Sequence, residues 1–185
     1  MSHDARAVAN WLLSRGEVDQ MPLDHLKLMK LVYITHGWNL GLYDRPLVRQ
    51  PILGWPHGPV VWDVYVAFRG SGYDPIQTRA TYYDHEYETE IPYQSTFDKL
   101  DLGVLNKVWN VYSQYTGRQL EIMTHEEGTP WSNAVAGIPQ REIWNVPISN
   151  QLIAEYYRAL TKTPKPEPSN VTEVQSVEAG CGPAV

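Results

Sequence analysis

Apolar positions recur at helical spacing from the start of the chain. Over Ala5–Arg15 they place Val8, Trp11 and Leu12 on one face, with Asp4 as the expected N-cap and Gly16 as the expected stop. Pro22 suits the first turn of a second helix running to about Tyr43. That segment carries one apolar stripe of Leu26, Met29, Tyr33, Gly37 and Leu40 and another of Leu28, Leu31, Thr35, Trp38 and Leu42. A helix apolar around most of its circumference belongs at the centre of a fold. Gly37 and Gly41 each weaken it by about 1 kcal/mol relative to Ala, which predicts a close crossing of another segment there.

Arg45-Pro46 breaks the helical pattern. Leu47–Val48 and Ile52–Trp55 are too short for helices and read as a small β-hairpin around Arg49-Gln50-Pro51. Gly58-Pro59 is expected to open a helix over Val60–Arg69, with Val61, Val64, Tyr65 and Phe68 inward, ended by Gly70-Ser71-Gly72. Residues 74–95 change character. Asp84, Glu86, Glu88 and Glu90 are interleaved with Tyr82, Tyr83, Tyr87 and Tyr93, giving an acidic, tyrosine-rich connection with room for a short strand.

Helical spacing returns over Phe97–Tyr115, where Leu102, Leu105, Trp109 and Tyr112 form a stripe widened by Val104, Val108 and Val111. Gly117 is expected to close it, and Arg118–His125 to form a short helix after it. Thr129-Pro130-Trp131 has the form of a helix start, an N-cap followed by proline at the first helical position. Ser149 caps a last helix over Asn150–Leu160, with Ile148 and Ile153 spaced as a hydrophobic staple. The expectation is mainly α: a compact multi-helix domain over residues 1–160, with seven helices and a small β-hairpin element.

From residue 161 the composition turns polar, with Pro164, Pro166 and Pro168 favouring an extended, flexible and disordered tail. Within it Asn170 and Glu173 have capping-box spacing, and Val171, Val174 and Val177 follow at three-residue intervals before Gly180. A helix of about nine residues is too short to persist alone in water. Two readings stand: a solvated extension, or a segment that folds on contact with a partner.

Composition narrows the function. The chain has 12 Tyr and 7 Trp against 2 Phe, an excess of aromatics that combine contact area with a polar handle. Net charge is −6 and no two Lys or Arg are adjacent, so the clustered cations that direct nucleic-acid binding needs are missing. An acidic chain suits a basic protein partner. The lone Cys181 allows neither an internal disulfide nor a cysteine zinc cluster. The N-terminus lacks the charged and apolar regions of a signal peptide, and no stretch has the apolar length of a membrane span. A cytoplasmic location, without membrane association, is expected.

Catalytic signatures are missing from the sequence. His125-Glu126-Glu127 opens like a zinc-protease motif, but Thr129 stands where the second histidine is required. His3, His25, His36, His57 and His85 are scattered, and His36 reads as a core or pocket histidine. No GxSxG, GxGxxG or phosphate-binding loop occurs. The expectation is no enzyme, no metal and no cofactor, although a hydrolase assembled only in space stays open as an alternative.

The order of residues is more specific than its chemistry. Leu26, Lys30, Leu31, Tyr33, Gly37, Trp38 and Leu40 are followed by Trp55, Gly58, Pro59, Val60, Val61, Val64, Tyr65 and Phe68. A second block comprises Leu120, Thr124, His125, Glu126, Glu127, Pro130 and Trp131, with Gly128-Thr129 intervening before the proline. Over about residues 6–160 this pattern resembles the Panacea antitoxin domain, the SocA-like or GepA family. The resemblance implies a cytoplasmic antitoxin-like module in a bacterial or phage toxin–antitoxin system, whose partner is a cognate toxin protein. It also implies a link to a Clp-type protease, because one family member delivers its toxin to such a protease. A protease adaptor or phage anti-defence protein acting by protein binding is the alternative. The motif residues are expected to be structural. Candidate partner contacts lie elsewhere, at Tyr82, Tyr83, Asp84, Glu86, Tyr87 and Glu88, where aromatic anchors sit beside acidic groups, and at Val171, Val174 and Val177.

Overall fold

The central helix is α2, His25–Tyr43, in a computed structural model that describes residues 1–162. Leu28, Leu31, Val32 and Ile34 are buried within it. Around it pack α1 (Ala5–Val18), α4 (Lys99–Tyr112), α5 (Gly117–His125) and α7 (Asn150–Lys162). The remaining helices are α3 (Trp62–Phe68) and α6 (Pro130–Ala134), giving the seven expected α-helices among the described residues. The crossing predicted at the two glycines is made by α7. A Cβ on Gly37 would sit 2.1 Å from the Tyr157 ring, and one on Gly41 would lie 2.7 Å from the Tyr157 carbonyl carbon. Ser149 accepts from the Leu152 N–H at the start of α7, and both staple residues, Ile148 and Ile153, are buried.

Several boundaries differ from the sequence reading, each for a local physical reason. Gly16 does not stop α1. The helix continues to Val18, and Gln20 makes the turn with φ 55°. Gly16 is small for packing, since a Cβ there would meet the Met21 carbonyl oxygen at 2.7 Å. Pro22 precedes α2, which starts where the Asp24 carboxylate accepts the Lys27 N–H at 2.8 Å. Asp98 likewise delays α4 to Lys99 by capping two N–H groups, and Val111 points outward. Gly117 opens α5 rather than closing α4. Thr116 and Gln119 form a reciprocal capping box there, satisfying two donors at once.

The hairpin also pairs differently. β1 (Ile52–Trp55) pairs with β2 (Gly58–Val60) in the register Leu53–Val60, Gly54–Pro59 and Trp55–Gly58. On its other side β1 pairs with β5 (Val146–Ile148). Gly58-Pro59 is therefore strand, and α3 starts only at Trp62, because Val60 is still paired with Leu53 and Val61 is extended at φ −108° and ψ 117°. Leu47 and Val48 meet the N-terminus instead. The His3 N–H donates to the Leu47 carbonyl at 2.7 Å, and the Arg49 N–H returns to the His3 carbonyl at 2.9 Å. The tie is locked by the buried Asp101, which binds His3 Nε2 and Arg45 through separate oxygens.

Residues 74–95 form a full hairpin where one short strand was expected. β3 (Thr81–Asp84) pairs antiparallel with β4 (Thr89–Pro92). An isolated two-stranded ribbon is marginal in water, and this one is rooted by a buried amide. Asn10 on α1 donates to the carbonyls of Ala80 and Tyr93 and accepts from the Ala80 N–H, each at 2.9 Å.

Candidate functional site

The two motif blocks, far apart in sequence, meet beside the β1–β2 turn. Gly58, the first residue of β2, stands where a Cβ would lie 2.6 Å from Lys30 Nζ, 2.9 Å from His125 Cε1 and 3.0 Å from Thr124 Oγ1. Its positive φ and this crowding both require glycine. Behind it, Trp131 donates from its indole to the Trp55 carbonyl at 2.9 Å and packs against the His125 ring. His125 faces two main-chain carbonyls, Glu121 at Nδ1 (2.7 Å) and Pro56 at Nε2 (3.2 Å). The Thr124 hydroxyl donates to the Glu121 carbonyl at 2.8 Å. Thr124, His125 and Trp131 thus bracket the turn against α5 and α6, with Thr124 Oγ1 3.5 Å from His125 Nδ1. Pro130 is buried at the first position of α6. Tyr33 and Trp38 belong to the core on another side of α2, where both rings contact Tyr157. Burial pushes the Tyr33 hydroxyl far above the usual phenol range.

In front of the turn opens a groove of about 690 Å³. Its apolar wall includes Leu26, Met29, Trp55, Pro59, Val60 and Tyr65. Trp55 is the hub of an aromatic cluster, with ring centroids 4.7 Å from Tyr65, 5.1 Å from Trp144 and 5.7 Å from Trp62. Trp144 is 57% exposed and Trp62 48%, so the aromatic surface continues out of the groove. Single exposed aromatics are ordinary, but a contiguous group of them marks an interaction surface.

The floor is charged. Lys30 is buried on α2 and donates to the carbonyls of His57 and, at 3.2 Å, Pro59. Burial lowers its ammonium to about 7, with the Glu121 charge opposing the shift. Glu121, also buried, accepts from His57 Nδ1 at 2.9 Å on one oxygen and from Arg118 at 2.6 Å on the other. Burial alone would push this carboxyl up, but the bonds from His57 and Arg118 outweigh it and hold the group below the ordinary carboxylate range. His57 and Arg118 themselves lie at the rim, with side chains 81% and 71% exposed.

Sequence reading missed His57, Arg118, Glu121, Trp62 and Trp144 as one site. No local spacing links them, because they come from the β1–β2 turn, α3, α5 and the loop before β5. The candidate contacts on the β3–β4 hairpin lie apart from the groove. Tyr83 and Tyr87 project into solvent, while Tyr82 leans on Tyr93 with centroids 5.3 Å apart. Asp84 accepts the Glu86 and Tyr87 N–H groups and so shapes the turn. Glu86 and Glu88 are exposed, the latter at φ 48°. Val171, Val174 and Val177 lie outside the described residues.

Comparison with known proteins decides the family. The family model for the SocA-like antitoxins, the Panacea domain, matches residues 28–132. The chain belongs to this family. The matched segment runs from α2 to α6 and contains both sides of the groove's turn, from Lys30 to Trp131. Antitoxin SocA of Caulobacter vibrioides (strain NA1000 / CB15N) is 34% identical over 130 residues, covering 70% of this chain and 69% of that protein. No solved structure matches the chain significantly. Among the described residues, no helix is long and apolar enough to cross a membrane.

Proposed function

We propose that this Panacea-family protein is an antitoxin that binds and neutralises a cognate toxin protein in the cytoplasm, seating part of it in the aromatic groove. The observation that carries the reading is the cluster in which the exposed Trp62 and Trp144 flank the half-buried motif residue Trp55, beside a buried charged floor. Rigid Trp and Tyr anchors with a neighbouring Arg are the usual centre of a protein interface. The test is co-expression with the product of the neighbouring gene, followed by growth rescue and titration calorimetry. Trp144→Ala and Trp62→Ala should each weaken the complex about 30-fold or more, as expected for central aromatic contacts. Both side chains are largely outside the core, so the melting temperature should hold. Undiminished affinity in the double variant would remove the groove from the interface. Failure to bind any neighbouring gene product would count against an antitoxin.

Neutralisation should be direct, without a protease. Rescue that disappears when the host Clp-type unfoldase is deleted would instead make the protein an adaptor for proteolysis.

The β3–β4 hairpin supplies a second, electrostatic contact in this reading. Its four carboxylates at Asp84, Glu86, Glu88 and Glu90 suit a basic toxin surface. Changing Glu86 and Glu88 to Lys should lower the association rate about tenfold at low salt and leave thermal unfolding unchanged. An unaltered rate at low salt would remove the hairpin from the encounter surface.

A further inference from the structure

We infer that the outer edge of β3 takes up an extended segment of a protein partner, bearing Lys or Arg, as a third strand of the β3–β4 ribbon. That the toxin supplies this segment rests on the antitoxin reading above; the mode of recognition rests on the ribbon alone.

The two edges of the ribbon are unlike. Thr81 is paired with Pro92, which has no N–H, so this rung carries no main-chain hydrogen bonds. The adjacent rung agrees, with the Tyr93 N–H donating to the Ala80 carbonyl at 2.9 Å. The bonded rungs within the ribbon are therefore Tyr82–Ile91 and Asp84–Thr89, and the main-chain groups of Thr81 and Tyr83 point away from β4. On the far side the outward groups belong to Glu90 and Pro92, and a proline there keeps a strand edge from pairing. β3 has no proline, and Thr81-Tyr82-Tyr83 is made of strand-forming residues. Thr81 and Tyr83 are exposed, and among the described residues no third strand joins the ribbon. The edge is also preformed. Asn10 clamps the root of the ribbon through Ala80 and Tyr93, so an incoming strand meets donors and acceptors already aligned.

The charge of the ribbon selects the partner. Asp84, Glu86, Glu88 and Glu90 cluster at its turn end, and residues 80–98 contain no Lys or Arg. Arg6 and Arg79, at the root, are paired with Asp4 and Glu17 on the α1 side. Asp84 uses one oxygen to shape the turn, and Glu90 uses one to accept from the Thr81 hydroxyl at 2.9 Å. Among the described residues none of the four carboxylates is in a salt bridge. A second copy of this chain would set like charges against each other. Cationic side chains at alternate positions of an incoming strand would instead lie beside these carboxylates and the exposed Tyr83 ring.

The test uses the full chain labelled with ¹⁵N, titrated at low salt with the hexapeptide acetyl-Lys-Val-Arg-Val-Lys-Val-amide. Its fully N-methylated form keeps the charges but has no main-chain donors. The amide signals of Thr81 and Tyr83 report pairing. The plain peptide should shift both and bind about tenfold more tightly than the N-methylated one, the size of two main-chain hydrogen bonds. Acetyl-Glu-Val-Glu-Val-Glu-Val-amide should not bind measurably. Tyr83→Pro removes an outward donor without touching a bonded rung, and should weaken the plain peptide about tenfold. Tyr83→Ala keeps the donor and should cost no more than about threefold, the share of the ring. The Tyr82 and Asp84 amide signals will show whether the ribbon is intact in each variant; if Tyr83→Pro disrupts it, the two forms of the peptide decide. Equal binding of those two forms, or no binding of either, would overturn the inference. Equal binding of the acidic peptide, or self-association of the chain that Tyr83→Pro abolishes, would overturn the assignment to a basic partner. A toxin that binds Tyr83→Pro as tightly as the unaltered chain would overturn the assignment of the segment to the toxin. If no toxin complex forms, the antitoxin reading fails, while the peptide comparison still decides the edge.

Discussion

Gly37→Ala should destabilise the protein by about 3 kcal/mol or more, the upper range for forcing extra volume into a packed interior. Exposed helical glycine would give the opposite sign, since alanine is favoured in a helix by about 1 kcal/mol. The difference is the crossing. The new Cβ would stand 2.1, 2.5 and 2.6 Å from three atoms of the Tyr157 ring. That ring is buried and has little freedom, with Trp38, Tyr33 and Tyr156 against it at 5.3, 6.2 and 5.3 Å between centroids. Relief would require α7 to move away from α2. Urea denaturation of Gly37→Ala measures the cost, and combining it with Tyr157→Leu should reduce that cost because the flat ring is the obstacle. A stabilised Gly37→Ala protein would mean that α7 does not cross α2 at this glycine.

Acid should weaken the fold through His36, well above the range where most carboxylates titrate. The imidazole is buried in α2 and held neutral. It accepts the Val48 N–H at Nδ1 (3.2 Å) and donates from Nε2 to the Asn150 side-chain oxygen (3.0 Å). Burial lowers its proton affinity to about 4, with the Asn150 bond opposing, against an ordinary value of 6.5. Between those two values the unfolded chain binds a proton that the folded chain does not, so stability falls as pH falls. The loss should reach about 2 kcal/mol by pH 5 and approach about 3 kcal/mol at pH 4 and below. His25, also lowered by burial, acts in the same direction. His36→Gln should be less stable at pH 7 but should lose less stability between pH 7 and pH 5. Identical pH slopes for the two proteins in urea unfolding would remove His36 as the source. The same pair of bonds ties α2 to Val48 and to the start of α7, so acidification should loosen the joint on which the Gly37 crossing depends.

What could be read from the sequence was local. The apolar circumference of α2, the Thr129-Pro130 start of α6 and the Ser149 cap with its isoleucine staple each depend on residues within a few positions of one another. Their hydrogen bonds and packing are consequently written in the chain. The need for a close crossing at Gly37 and Gly41 could be read too, because a glycine cost inside a buried helix implies a neighbour, but not that the neighbour is Tyr157. The errors were also local in origin. Gly16 and Gly117 looked like helix ends because glycine commonly ends helices, whereas here it makes room for Met21 and for the start of α2.

The sequence by itself determined the helical class, the central place of α2 and, through the order of Lys30, Gly58, His125 and Trp131, the Panacea family. Only the tertiary structure decided that Lys30, Gly58 and His125 form one contact, that Trp131 is enclosed while Trp144 is exposed, and that Glu121 is buried between His57 and Arg118. A glutamate in a short polar helix, or a tryptophan in a loop, carries no local mark of its burial. His57 and Glu121 are 64 positions apart, and the groove between them exists only because α5, the β1–β2 turn and α2 close on one another. The chemistry of the site follows from that closure: water is excluded from Lys30 and Glu121 at its floor and left in contact with His57 and Arg118 at its rim.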